Sequence, residues 1–306
     1  MSTFANDTTR MSTTRHILNK VPEVTLYFWV IKILCTTVGE TFADTLANHG
    51  LTLTQVSVVM SGLLAVALVF QFRAHRYVPA IYWLCVVLIS VVGTLITDNL
   101  TDNFGVSLVT TTAIFSVALA AVFAAWFASE KTLSIHTIFT RRREGFYWLA
   151  ILFTFALGTA AGDLFAERLG LGFFVSALIF GGLIAAITVA HFKFGLNAVL
   201  AFWLAYILTR PLGASIGDGL SQPHAAGGLG LGTAATSALF LVTILALVVY
   251  LSATRKDETT IGDLSADELA EVQPDLLDPA DLKDDVDPID REFAEMESEE
   301  VSDSRE

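Results

Sequence analysis

Six ionisable residues sit where apolar sequence leaves little room for charge. Glu40, Asp44, Asp98, Asp163, Asp218 and Arg210 all fall inside long hydrophobic stretches. A charged side chain within a lipid-spanning helix costs about 3 kcal/mol on insertion scales and normally turns toward a bundle interior or an aqueous cavity. Clustered carboxylates create negative potential and offer hard oxygen ligands, so the chemistry open to them is to bind or pass a cation. The competing role for the aspartates is helix-end chemistry, in which an acid near a turn caps the next helix or accepts backbone donors. Glu40, one turn deeper than Asp44, is harder to explain that way. Arg210 lies two turns below Asp218, and its register differs from that of Glu40 by four residues, about 6 Å of rise, so the two can pair. Its alternative role is a positive gate displaced when a cation or proton arrives.

The aspartates recur with a fixed spacing. With Trp29, Trp83, Trp148 and Trp203 set in register, Gly39, Gly93, Gly158 and Gly213 follow ten residues on, and Asp44, Asp98, Asp163 and Asp218 fifteen residues on. An aromatic residue precedes each tryptophan: Phe28, Tyr82, Tyr147 and Phe202. Four of the chain's five tryptophans occupy this one position, which signals internal repetition. After each aspartate comes a glycine-containing connection and a second apolar run, so the repeating unit is a two-helix hairpin. The tryptophans lie 54, 65 and 55 residues apart, consistent with two rounds of duplication joined by the longer basic loop around 129–145.

These residues need spanning helices to position them. Apolar stretches long enough to cross a hydrocarbon core of about 30 Å occur near 24–46, 52–71, 78–100, 105–128, 146–167, 171–191, 195–220 and 231–252. Eight spans arranged as four units make each unit enter from the same side, giving parallel repeats about an axis along the membrane normal. The expected fold is all-α. With tryptophan at one membrane interface, the helical rise puts the glycines about 15 Å and the aspartates about 22 Å from it. Residues at offsets 0, 4, 7, 11 and 15 from each tryptophan share a sector of roughly 80°. The expected assembly gathers the first helix of every repeat around one axis, with the glycines allowing close approach and the second helices facing lipid. Lys32, near the tryptophan level, is expected to snorkel.

Composition agrees with a membrane protein. Of 306 residues, 54% are hydrophobic and 16% charged, and the mean hydropathy is +0.62. The net charge of −13 comes from the end of the chain: residues 254–306 hold 20 of the 31 acids and five basic residues. No basic domain exists to neutralise phosphates, which argues against nucleic acid as a partner. Cys35 and Cys85 lie in apolar runs and read as buried thiols. The expected organisation is a cytoplasmic segment over 1–20, a membrane domain over 21–253 with repeats at approximately 24–72, 78–128, 146–192 and 195–252, and an acidic, mostly disordered cytoplasmic tail over 254–306. Within the tail a short helix around 264–272 is conceivable. No cleavable leader is read in residues 1–20. Arg10, Arg15, Lys20, Arg73, Arg76, Lys131, Arg141, Arg142, Arg143, Lys193, Arg255 and Lys256 all flank the same side, which places both termini in the cytoplasm.

Other signals are weaker. The six histidines show no close ligand spacing, and the glycines from Gly227 to Gly232 lack the lysine of a phosphate loop. Asp102, Glu167, Asn48 and Gln222, four residues past the aspartates, could form a polar outer vestibule or simply lie in exposed loops. Gly162-Asp163 and Gly217-Asp218 invite comparison with intramembrane aspartyl proteases, but four equivalent copies are unlike a dyad, and Asp44 and Asp98 lack the preceding glycine. No complete catalytic constellation is present, so no enzyme activity and no cofactor are expected.

The four Trp-x9-Gly-x4-Asp hairpins resemble a bacterial membrane-protein family with four tandem repeats of unknown function, each holding two transmembrane regions and a characteristic tryptophan. The resemblance spans approximately 24–252 and implies an integral protein of the bacterial inner membrane, of a kind commonly called membrane-anchored protein. It implies no substrate. The residues themselves favour a secondary transporter or permease for a cation, either a divalent metal or a proton-coupled solute. The alternative is a membrane scaffold or regulator whose acidic tail recruits a cytoplasmic partner.

Overall fold

The computed structural model describes residues 19–47 and 52–258. The segment over 1–18, residues 48–51, and the acidic tail from 259 onward, including the helix considered over 264–272, lie outside the described residues. Within them are eight long helices: α1 (Leu26–Ala47), α2 (Leu53–Arg73), α3 (Pro79–Asp98), α4 (Leu108–Glu130), α5 (Arg141–Asp163), α6 (Phe173–Phe194), α7 (Ala198–Ser221) and α8 (Thr233–Thr254). All eight are long and apolar enough to cross a membrane. The fold is all-α, and its eight helices form four two-helix repeats, as the spacing predicts.

Local chemistry sets the helix ends. α5 begins five residues before the expected span because Thr140 caps it, accepting the Arg143 N–H at 3.2 Å and drawing three arginines into the first turn. The outer helices of the first two repeats start from hydroxyl caps, Thr52 in a capping box with Gln55 and Ser107 accepting from Thr110. Those of the last two start from glycines at positive φ, Gly172 at 75° and Gly232 at 80°. The pairing of repeats 1 with 2 and 3 with 4 therefore extends to how their second helices begin. α3 and α5 each run on past their aspartate in a π-helical turn, Asn99–Asn103 and Leu164–Arg168.

The odd helices close a ring: α1 packs on α3, α3 on α5, α5 on α7, and α7 on α1. More than half the residues of each inner span are buried, against fewer than a third in the outer spans. The outer helices do not rest chiefly on their own hairpin partners. α2 packs on α3, α4 on α5, α6 on α7 and α8 on α1, so each second helix braces the first helix of the next repeat. This handing-on closes cyclically when the last helix returns to the first.

The glycines make the ring tight. A Cβ at Gly39 would overlap Ser90, one at Gly93 would overlap Phe155, one at Gly158 would overlap Arg210, and one at Gly213 would overlap Thr36. Each of those neighbours stands seven residues after the tryptophan of the following repeat, so one contact is made four times around the axis. Close approach lets side chains bond across to neighbouring backbones: Ser90 donates to the Cys35 carbonyl at 2.9 Å, Thr97 to that of Ala156 at 2.9 Å, and Thr37 to that of Gly213 at 3.1 Å.

The tryptophans close the ring at one end. Phe28 packs on Trp83, Tyr82 on Trp148, Tyr147 on Trp203 and Phe202 on Trp29, with ring centroids 5.5–6.2 Å apart. Trp83, Trp148 and Trp203 are 2%, 3% and 4% exposed, and Trp29 is half-buried. The repeated tryptophan, expected at the membrane interface, is a packing residue turned toward its neighbours, each meeting an aromatic partner that the preceding repeat supplies.

Candidate functional site

The polar stripe of the inner helices converges on Arg210, which is wholly buried. It is held by the other three repeats. Its Nη1 donates to the Thr36 carbonyl at 3.1 Å, and its Nη2 donates to Glu40 Oε2 at 2.9 Å, to Thr159 Oγ1 at 2.6 Å and to Thr94 Oγ1. Glu40, Thr94 and Thr159 stand eleven residues after their tryptophans, and Ala214 fills the fourth position of that layer. The missing side chain at Ala214 accompanies the arginine one turn below it on α7. Pro211, next in sequence, brings no N–H to the helix ladder.

Above the arginine, carboxylates gather. Oxygens of Glu40, Asp163 and Asp218 all lie within 4.8 Å of one another. Glu40 is 6% exposed, Asp218 is 9% exposed and Asp163 is half-buried. Glutamate's longer side chain lets a residue one turn lower reach the aspartate level. Asp98 ends α3 half-buried and is not among the three, so the quartet expected from the spacing is represented here by two aspartates and a glutamate. Asp44 lies in α1, and its side chain is outside the described atoms. Three carboxylates, one of them bonded to the Arg210 guanidinium, make a donor set suited to a hard divalent cation or to protons.

Below the arginine lies a residue whose role the sequence concealed. Lys32 is 1% exposed, its Nζ 4.2 Å from the centre of the Phe155 ring and 4.3 Å from that of Tyr206, with no hydrogen-bond acceptor. The Arg210 guanidinium carbon is 5.4 Å from the same Phe155 ring. The snorkelling expected of Lys32 is thus replaced by an aromatic cage. The signal was faint: offset 3, shared by Lys32 and Tyr206, falls about 40° outside the polar sector.

A second polar cluster seals the tryptophan end. Lys20 Nζ stands 2.8 Å from Glu144 Oε2 and donates to the Phe72 carbonyl at 3.3 Å, while Gln71 donates to Glu144 Oε1 at 3.1 Å. Lys20, Glu144 and Gln71 are all buried, so Lys20 is an internal cation as well as a flanking one. Residues 19–23 stitch three connections together: Tyr77 N donates to the Asn19 carbonyl, Lys20 N to Ile138 and Glu23 N to Asp257. The Tyr77 hydroxyl donates to Asp257 Oδ2 at 2.6 Å. Burial raises both groups, pushing the Asp257 carboxyl above the usual carboxylate range despite that bond, and the Tyr77 phenol above its own.

Fold and site together define a polytopic α-helical protein with four repeats around a charged axis. The chain belongs to the family described as "Repeat of Unknown Function (DUF347)", whose model matches residues 27–77, 81–132, 146–196 and 201–257. No curated protein and no solved structure matches it.

Proposed function

We propose that the protein is a cation permease of a bacterial inner membrane, with both termini in the cytoplasm, and that Glu40, Asp163 and Asp218 form its ion site. The observation that carries this reading is the meeting of three carboxylates, their oxygens within 4.8 Å of one another, beside the buried Arg210. Holding such like charges together in a low-dielectric interior is unfavourable without a cation or protons to balance them. Arg210 bonds to Glu40. A metal ion or protons entering among the three carboxylates would lower their mutual repulsion, and the hydroxyls of Thr94 and Thr159 add neutral oxygens beside Glu40.

The test is flux in reconstituted vesicles. Na⁺, K⁺, Mg²⁺, Ca²⁺ and Mn²⁺ are presented singly, and at least one should enter vesicles containing the protein faster than empty ones. The Glu40→Gln/Asp163→Asn/Asp218→Asn variant should stop that entry. Equal flux by the variant would refute the assigned site, and no flux of any ion by the native protein would refute the permease reading.

A further inference from the structure

Lys32 stands inside the ring of inner helices and takes no part in the proposed ion site. It is 1% exposed, and its Nζ has no hydrogen-bond acceptor. An ammonium buried in this way forfeits its hydrogen bonds to water, and the faces of the Phe155 and Tyr206 rings offset that loss only in part. A second cation makes the position costlier. Arg210 lies against the same Phe155 ring, and the carboxylate bonded to it, Glu40, is held at Nη2.

The polar atoms left over around this point are donors. Lys32 Nζ, the Tyr206 hydroxyl and Arg210 Nε are all buried without a partner. An ammonium and a guanidinium N–H can only donate, and a phenol hydroxyl has one proton to give. Cys35, on the same helix as Lys32 and facing it, brings a thiol, again a weak donor. What this set lacks is an acceptor, and what two neighbouring cations lack is negative charge. One anion supplies both, whereas a neutral acceptor supplies only the first.

We propose that Lys32 and Tyr206 form a binding site for a monatomic anion of the halide class, held between the ammonium and the phenol hydroxyl in the field of Arg210. Lys32 lies over the Tyr206 ring, while the hydroxyl lies in the plane of that ring at its rim. An atom bridging the two sits off the ring edge, where the aromatic quadrupole is positive. The flexible lysine stem lets the ammonium shift toward the hydroxyl without moving a helix. Val86 and Ile151 stand at the level of Lys32 and Tyr206, three residues after their tryptophans, and both are wholly buried. Packing this close suits a single atom better than a carboxylate or an oxyanion. The site balances charge on the tryptophan side of Arg210, and it does not depend on the permease reading.

Chloride is the probe, with gluconate, a bulky carboxylate, as the reference anion at equal ionic strength. Native protein purified in chloride and moved into gluconate should either keep about one chloride per chain, released on unfolding and counted by ion chromatography, or unfold at a temperature that rises with added chloride. The first result describes an ion enclosed when the ring assembles, and the second an ion that exchanges. Lys32→Met keeps the apolar stem and removes the charge, and should show neither. Tyr206→Phe keeps the ring and loses the hydroxyl. It should release the retained chloride into gluconate, or raise the chloride needed for half the thermal shift roughly tenfold or more. It decides the matter if Lys32→Met fails to fold. General salt effects act on all three proteins alike and cancel in the comparison. Retention or a thermal shift unchanged in the variants, or neither in the native protein, overturns the site.

Discussion

Arg210 of the fourth repeat and Glu40 of the first are joined at 2.9 Å where the ring of repeats closes on itself. The bond is buried on both sides, so each charge depends on the other. Removing one partner leaves an uncompensated charge in a low-dielectric interior, which costs about 3–5 kcal/mol, whereas removing both leaves neutral groups that can be accommodated. Glu40→Gln and Arg210→Gln should each lower the unfolding temperature of the protein in detergent, and the double variant should recover much of the loss. A double variant as unstable as the sum of the singles would mean the two charges are stabilised independently.

The glycine contacts give a sharper stability test. Gly93→Ala places a methyl 2.6 Å from the Phe155 Cβ and 3.2 Å from the Ala156 backbone, so helices must part. A loss of about 1–3 kcal/mol is expected from overpacking of this kind. Gly62, in the outer helix α2, has nothing near its missing Cβ, and Gly62→Ala should stabilise slightly, by about 0.5–1 kcal/mol, through helix propensity. Thermal unfolding of the two variants should move in opposite directions, and a matching shift would remove the close-approach argument.

Much of this was legible in the sequence because it is local or repeated. Hydropathy places the eight spans, the Trp, Gly and Asp register gives four repeats, and the rise per residue brings Arg210 within reach of Glu40. What escaped depends on partners chosen in space. Nothing within a hairpin tells α2 to brace α3 rather than α1. The cage around Lys32 is built from Phe155 on α5 and Tyr206 on α7, residues that read as ordinary core. Glu144 looks like a first-turn acid beside three arginines, and only the fold sets it against Lys20 and Gln71. The tryptophans were assigned by depth, a property of one helix, whereas their packing is a property of adjacent helices.

That distinction can be measured on the tryptophans themselves. A side chain presented to lipid headgroups loses little on truncation, but one buried against an aromatic neighbour leaves a cavity. Trp148→Ala should cost about 3–5 kcal/mol, and Trp29→Ala, half-buried, should cost less. Equal and small losses at both positions in detergent unfolding would return the tryptophans to an anchoring role.

The Asp257 contact makes the end of the membrane domain sensitive to pH. Its carboxyl titrates above the usual range in the folded protein because it is buried, so the folded state holds the proton more tightly than the unfolded chain does. The contribution to docking is therefore fully present below the unfolded value of about 3.9 and is lost as pH rises through the raised folded value. Asp257→Asn keeps a polar group against Tyr77 and removes the titration. Hydrogen exchange at the Glu23 amide, which donates to the Asp257 carbonyl at 2.8 Å, reports the docking directly. Comparing native and variant proteins at each pH cancels the intrinsic rise of exchange with hydroxide. Protection of the native amide should fall relative to the variant as pH increases across that window, and parallel curves for the two proteins would show that the carboxyl does not govern the contact.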